Sequence, residues 1–131
     1  MLALDEAALN ERFSANIDVE QFQVLVENQP DEAVDSTRIY CRWFIEPGSS
    51  ELVQSDNTHH QLGTAVFQII APKETWTDDA DALRDQFLAL FRRWRSPDHC
   101  LRVYKMESSK PRQDDCYQLN CKVFWESYRR P

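Results

Sequence analysis

The sequence predicts an α+β fold: a mainly antiparallel, mixed β-sheet with two helices packed on one face. Two segments repeat apolar residues at helical intervals, and five others have the composition or alternation of strands. Their order is α-β-β-β-α-β-β, and one sheet under two helices buries both apolar helix stripes. A chain of 131 residues is too short for two ordinary domains, so we expect one domain over residues 1–131.

The first helix is predicted over residues 4–17, because Leu9, Phe13 and Ile17 recur at intervals of four. Asp5, near its start, suits the positive end of the helix dipole. Residues 22–28 then predict a short strand, which a proline and two acidic residues end.

Two longer strands follow in the middle of the chain. The first is predicted over residues 38–46, where alternate positions on one face are apolar, and residues 47–50 are expected to end it. The second covers residues 64–71 and is apolar on both faces, which predicts a central place in the sheet. Residues 49–61 lie between them and are polar, so we expect a long loop there.

The second helix is predicted over residues 78–95, with a stripe of large apolar residues, acidic residues in its first turn and arginines in its last. Thr77 is the expected N-cap and Pro97 the expected stop. A closing hairpin is predicted from residues 101–106 and 117–125.

The charge balance argues against a protein that holds nucleic acid. Fifteen basic and 22 acidic residues give a net charge of −7, whereas affinity for nucleic acid comes mainly from cationic contacts to phosphates. The acidic N-terminus has neither the basic start nor the apolar stretch of a signal peptide. No apolar run is long enough to span a membrane. We expect a protein made in the cytoplasm.

The sequence lacks the common catalytic and cofactor motifs. With two glycines in total, it has neither a phosphate-cradling loop nor a dinucleotide fingerprint, and no G-x-S-x-G or H-E-x-x-H motif occurs. We therefore expect a protein that works by binding or assembly, without enzymatic activity or a cofactor.

The cysteines and histidines do not have metal-ligand spacing. Cys116 and Cys121 are the nearest pair of cysteines, and the pattern favours reduced thiols in the core. His59 and His60 are adjacent, so on an extended chain they point in opposite directions and seldom share a ligand. We expect two exposed loop histidines, with stacking against a partner as the functional alternative.

Three charged or aromatic features have both a structural and a functional interpretation. The acidic cluster of residues 78–81 could bind a metal or act as a general base, but its place at a helix start explains it. The basic cluster of residues 92–95 could bind an acidic partner, although a helix end favours cations. Trp76 is either a staple onto Ala80 or an interface anchor.

The ordered segments resemble one family, the tail terminator proteins of long-tailed bacteriophages and their prophage relatives. The similarity covers nearly the whole chain and rests on many small cues without a catalytic motif. Its cues are LNERF at residues 9–13, VENQP at residues 26–30, YCRWFIEPG at residues 40–48, LGTAVFQIIAP at residues 62–72 and YQLNC at residues 117–121.

The resemblance implies a structural protein of the virion. Members of this family form a homo-hexameric ring on the tail tube, stop tube polymerisation and present a surface to the head connector, at the head-proximal end of the tail. The implied partners are the tail tube protein and a connector or neck protein. DNA would pass through the channel without specific binding, and no membrane is involved.

The candidate contact regions are two polar segments, residues 49–61 and residues 107–115, because they are too polar for a core and too long for simple turns. Exposed sheet edges are the expected route to neighbouring subunits. The candidate interface residues are Ser50, Glu51, Gln54, Asp56, Asn57, His59, His60, Trp76, Ser109, Lys110, Arg112 and Asp114.

Three alternatives stay open at this point. A head-completion or neck adaptor would bind connector rings without changing tube length. A small enzyme would use His60 or His99 with a carboxylate. An inhibitor with an acidic surface would be monomeric and would bind a basic partner in a salt-sensitive way.

Overall fold

The computed structural model describes residues 2–26, 35, 37–52, 58–72, 77–110 and 116–130. The helices are α1 (Leu2–Asn16) and α2 (Thr77–Phe91). The strands are β1 (Val24–Leu25), β2 (Tyr40–Leu52), β3 (His59–Pro72), β4 (Leu101–Ser109) and β5 (Cys116–Arg129). This is the predicted α+β class and the predicted order.

The five strands form one sheet in the order β1-β2-β3-β5-β4. β1 runs parallel to β2, and every other neighbouring pair is antiparallel. β3 lies at the centre, as its apolar residues on both faces predicted. β4 and β5 form the predicted hairpin, although both strands are longer than expected.

An aromatic cluster fixes both helices on the same face of the sheet. The ring of Phe13 in α1 stacks on Trp43 in β2 with centroids 4.3 Å apart. Phe87 in α2 lies 4.9 Å from Phe67 in β3 and 6.2 Å from Phe13. Nε1 of Trp43 donates a hydrogen bond of 2.7 Å to Oδ1 of Asn10, so this core indole keeps a polar partner.

No described helix covers the opposite side of the sheet, which we call the uncovered face. The strands alternate accordingly: Trp43, Phe67 and Cys121 point into the core, while Phe44 and Lys122 point to the uncovered face. An antiparallel sheet tolerates this arrangement, because one of its faces can meet water.

The predicted boundary between β2 and the following loop was wrong. Pro47 and Gly48 do not end β2; the strand continues to Leu52 and pairs with β3, which begins at His59. A register shift between Pro47 and Ser50 absorbs the irregular residues. Proline has no amide hydrogen to donate, so it fits where a strand edge is unpaired. Among the described residues β1 pairs only with Cys41 and Arg42 of β2, which leaves this edge unpaired at Pro47.

Two other predicted elements are shorter in the structure. β1 contains only residues 24–25, and residues 27–28 of the predicted strand lie outside the described part of the chain. α2 ends at Phe91 rather than at residue 95, and Arg93 adopts a left-handed φ of 54°. The arginines of residues 92–95 therefore lie beyond the helix, not in its last turn, and Pro97 is not what stops it.

Gly63 and Trp125 are constrained by one another. A Cβ on Gly63 would lie 2.3 Å from Cζ2 of the Trp125 indole, which is fully buried. Gly63 pairs with Trp125 across the β3–β5 ladder, so the space that glycine leaves is filled by the indole.

This contact predicts the outcome of a double-mutant cycle. Gly63→Ala should lower the free energy of unfolding by about 1–3 kcal/mol through overpacking. In a Trp125→Phe background the same change should cost less, because phenylalanine lacks the clashing indole atoms. Urea denaturation of the four proteins gives the coupling energy, and strictly additive effects would contradict the proposed clash.

A buried ionic network ties α1 to the C-terminal strand. Asp5, fully buried, accepts 2.7 Å hydrogen bonds from Ser127 Oγ and Arg129 Nε. Nη1 of Arg129 donates to Oδ2 of Asp98 at 2.6 Å, and Ser96 Oγ donates to Oδ1 of Asp98 at 2.5 Å. Breaking a buried pair leaves an uncompensated charge, so this network fixes the start of α1 against β5.

The network shifts two pKa values. Hydrogen bonds from Ser96 and Arg129, with a third from the Cys100 amide, hold the pKa of Asp98 far below its usual range. Burial acts to lower the pKa of Arg129, but its hydrogen bonds to Asp98 and Asp5 outweigh burial and raise it.

Asp98 predicts a pH dependence of stability. Because its folded pKa is depressed, the Asp98 carboxylate stabilises the fold above the unfolded pKa of about 3.9, and that contribution is lost as the pH falls through the folded pKa. We expect Asp98→Asn to lower the free energy of unfolding near about pH 7, and the gap to wild type to shrink below about pH 4.

The measurement is urea denaturation of wild type and Asp98→Asn across this pH range. Glu20→Gln, at an exposed position, is the control and should show no such gap. If the difference in free energy of unfolding between wild type and Asp98→Asn stays constant as the pH falls, the Asp98 carboxylate is not the group that stabilises the fold.

Candidate assembly surfaces

One candidate contact region lies at the end of the sheet where β2 ends and β3 begins, which we call the hairpin end. Ser50 and Glu51 belong to β2 and pair with Gln61 and His60 of β3, so much of the predicted loop is strand. β5 ends here too, with Arg129 opposite His59. The prediction of a loop over residues 49–61 was therefore wrong at both of its ends.

His60 is held in place on the uncovered face. Its ring stacks on Tyr128 with centroids 4.3 Å apart, and its Nε2 lies 3.2 Å from Oε2 of Glu126. Nε of Arg102 donates to the other oxygen of Glu126 at 2.6 Å. The expected pair of exposed loop histidines was wrong, because both are half-buried in a strand.

Glu126 joins these side chains electrostatically. Burial acts to raise its pKa, but the hydrogen bonds from Arg102 and His60 outweigh burial and hold the pKa below its usual value. Glu126 is therefore an anion that anchors one side chain from β3 and one from β4. The cluster stiffens the sheet close to the hairpin end.

The second candidate region adjoins the opposite end of the sheet, which we call the link end. Ser109 closes β4, is exposed, and pairs with Asn120 of β5. Lys110 is also exposed, and its Nζ lies 4.6 Å from the centroid of the Tyr117 ring. The Tyr117 hydroxyl donates a 2.6 Å hydrogen bond to Asp81, which couples this end of the sheet to α2.

The structure does not bring the two candidate regions together. Ser50 pairs with Gln61 of β3. Ser109 pairs with Asn120 of β5, which lies opposite Gln68 of β3. About 23 Å of strand therefore separates the two levels. The chain thus offers two separate contact regions rather than one. Six of the candidate residues lie outside the described part of the chain: Gln54, Asp56, Asn57, Trp76, Arg112 and Asp114.

The uncovered face is a surface that we did not single out from the sequence. A shallow depression of about 470 Å³ crosses it, with Phe44 and Val66 beside Gln68, Asn120 and Lys122. The sequence does contain a sign of this surface: in each predicted strand, the positions that alternate with the core positions hold both apolar and polar residues. Such a mixture is common at contact surfaces, which are about as apolar as the remaining surface.

The cysteines behave in part as predicted. Cys41 and Cys121 are buried, and burial raises the pKa of the Cys121 thiol to about 12. Cys100 and Cys116 are only half-buried, and all four thiols are free. Within the described ranges, no group of three or more His, Cys, Asp or Glu side chains could hold a metal ion.

In the part of the chain that the structure describes, no helix is both long and apolar enough to cross a bilayer.

Comparison with known proteins informs the fold alone. No protein-family model and no curated protein matches the sequence. A solved structure whose name states no function is similar to this chain, with a TM-score of 0.74 and 17% sequence identity. The match covers 100% of this chain and 98% of the other. The whole architecture is therefore shared with a protein of nearly equal extent.

The environment of His60 predicts a difference between the two adjacent histidines. His60→Ala removes the Tyr128 stack and the Glu126 contact, so it should lower the free energy of unfolding by about 1–2 kcal/mol. His59→Ala should change it by less than about 0.5 kcal/mol. Urea denaturation at neutral pH measures both, and equal effects would show that the contacts of His60 carry no stability.

Proposed function

We propose that the protein is a structural subunit of a bacteriophage tail. Six copies form a ring that caps the tail tube, ends its polymerisation and joins the tail to the head connector. The ring lies at the head-proximal end of the tail in the virion. In this proposal the protein is not an enzyme and needs no cofactor.

One observation carries the proposal: the two candidate contact regions adjoin opposite ends of the same long strands. A subunit that joins different neighbours needs separate surfaces for them, and the strand length of about 23 Å between the levels of Ser50 and Ser109 provides that separation. The segment order α-β-β-β-α-β-β, on which the resemblance to tail terminators rests, is also the order of the fold.

The sheet edges support contacts between subunits. β4 is the last strand of the sheet, and no described strand pairs with its outer edge from Lys105 to Ser109. Unpaired edge strands favour pairing with another chain. Lys105 and Glu107 form a 3.0 Å ion pair on β4, and charges of this kind restrict which partner the edge accepts.

The net charge supports a channel that lets DNA pass. Six copies at −7 each carry −42. A channel lined with part of this charge repels the phosphate backbone, so the DNA does not adhere. The expected partners are thus the tail tube protein and a connector or neck protein, with DNA passing without specific binding.

The test is electron microscopy of the protein mixed with polymerising tail tube subunit from the same genome. The proposal predicts tubes that end in a six-fold ring and stop at a short length. Tubes that grow on uncapped while the protein stays free would contradict it. Binding to connector rings without any change in tube length would indicate a neck adaptor instead.

Bulky substitutions refine this test. Ser50→Trp at the hairpin end and Ser109→Trp at the link end place a large ring on exposed contact residues, so each should reduce capped ends by about tenfold or more. Ala7→Trp on the exposed side of α1 is the matched control and should cap normally. Equal capping by all three variants would exclude both ends as contact regions.

A further inference from the structure

The turn after α2, residues 92–95, concentrates unpaired positive charge, and we call it the arginine turn. The side chains of Arg92, Arg93 and Arg95 are exposed and make no hydrogen bond or ion pair with any described residue. A fourth cation adjoins them, because Arg12 donates two hydrogen bonds to the Leu90 carbonyl, at 2.9 and 3.2 Å. Arg12 therefore binds a carbonyl at this helix end, whereas the side chains of the other three arginines bind none in the described part of the chain.

The backbone of the arginine turn is also costly. Arg93 has a φ of 54°, a left-handed conformation that glycine adopts far more easily than arginine. Trp94 lies between the arginines, half-buried, with the Arg12 guanidinium 5.9 Å from its ring centroid. Arginine and tryptophan are the residues most enriched at the centres of protein contacts.

Opposite charge is concentrated at the other end of α2, which we call the acidic end. Asp78 and Asp79 are exposed in the first turn and make no hydrogen bond or ion pair with a described residue. Asp18 and Glu20 are exposed in the segment that follows α1, whose next residues line a cavity with Asp79. Arg38 lines this cavity too, so the four acidic residues and this cation leave the acidic end with a net charge of −3. α2 has 15 residues, so about 20 Å separates its two charged ends.

We propose that the arginine turn of one copy docks on the acidic end of a second copy of this chain. The two patches are opposite in charge and exposed, so contact between them neutralises both. Each copy then offers one patch to one neighbour and the other patch to the next. Such a head-to-tail contact closes into a ring when the rotation between copies allows it.

This contact deepens the proposed function by naming a surface through which subunits meet, and it rests on that proposal only for the number of copies. Nucleic acid is the less favoured occupant of the arginine turn, because the whole chain carries −7 and repels phosphate. A second copy also carries −7, but its acidic end is a compact patch that meets the arginine turn at close range, whereas nucleic acid carries negative charge along its whole length.

The experiment uses two charge reversals and their mixture, followed by sedimentation equilibrium. Arg92→Glu/Arg93→Glu/Arg95→Glu changes the arginine turn with Arg12 from +4 to −2, so both patches are then acidic. Glu20→Lys/Asp78→Lys/Asp79→Lys changes the four acidic residues of the acidic end from −4 to +2, so both patches are then basic. Each variant alone should self-associate about 100-fold or more weakly than wild type, because like charges then meet. An equimolar mixture should recover assembly, since every contact again joins opposite charges.

Salt gives the matching physical control. Wild-type association should be strong at about 0.01 M ionic strength and should be lost at about 1 M, where the screening length falls to about 3 Å. Three results would each overturn the contact: the wild type fails to associate at either salt concentration, the variants associate as strongly as the wild type, or the two variants fail to assemble when mixed. Circular dichroism of each variant confirms that it is folded.

Arg93→Gly is a second test that does not depend on charge reversal. Glycine relieves the left-handed backbone, so the thermal midpoint should rise while self-association falls. Association unchanged by Arg93→Gly would contradict a role for the whole turn. The two proposals can fail separately. If the protein does not cap tubes but the mixed charge-reversal variants recover self-association, the terminator function is excluded and the contact between copies stands.

Discussion

The stack of Phe13 on Trp43 is the interaction on which the rest of the architecture depends. It brings α1 onto the same face of the sheet as α2, whose Phe87 meets the same cluster. Large aromatic rings supply much of the apolar area that a domain of this size buries. Because both helices share one face, the other face of the sheet and the strand ends are left for contact with other molecules.

The hairpin end is built more rigidly than an ordinary strand end. Arg129 joins Asp5 of α1 to Asp98 of the turn before β4, and the Glu126 cluster fixes His60 on the opposite face. Side chains held by several partners lose little further freedom on binding, so such an end is pre-organised for a contact. The same network makes its geometry sensitive to acid, since Asp98 must stay ionised.

Local patterns predicted the elements but not their extent. Pro47 and Gly48 carry the local signals of a turn, yet a register shift lets β2 continue, and that depends on its pairing with β3. Asp5 fits a helix start in sequence, whereas its partner Arg129 lies far along the chain and is not predictable from spacing. His60 is likewise defined by contacts across strands. Three of the twelve candidate interface residues lie exposed near a strand end, as a contact region requires: Ser50, Ser109 and Lys110.

A three-dimensional reconstruction of the capped end of a tail tube tests the central claim most directly. The account predicts six copies around an open channel, each with its helices still packed on one sheet face. It also predicts that contacts to neighbouring chains are made by strand ends, sheet edges and the two charged ends of α2. A single bound copy, or a ring joined only through the middle of the outer helix surfaces, would contradict the account.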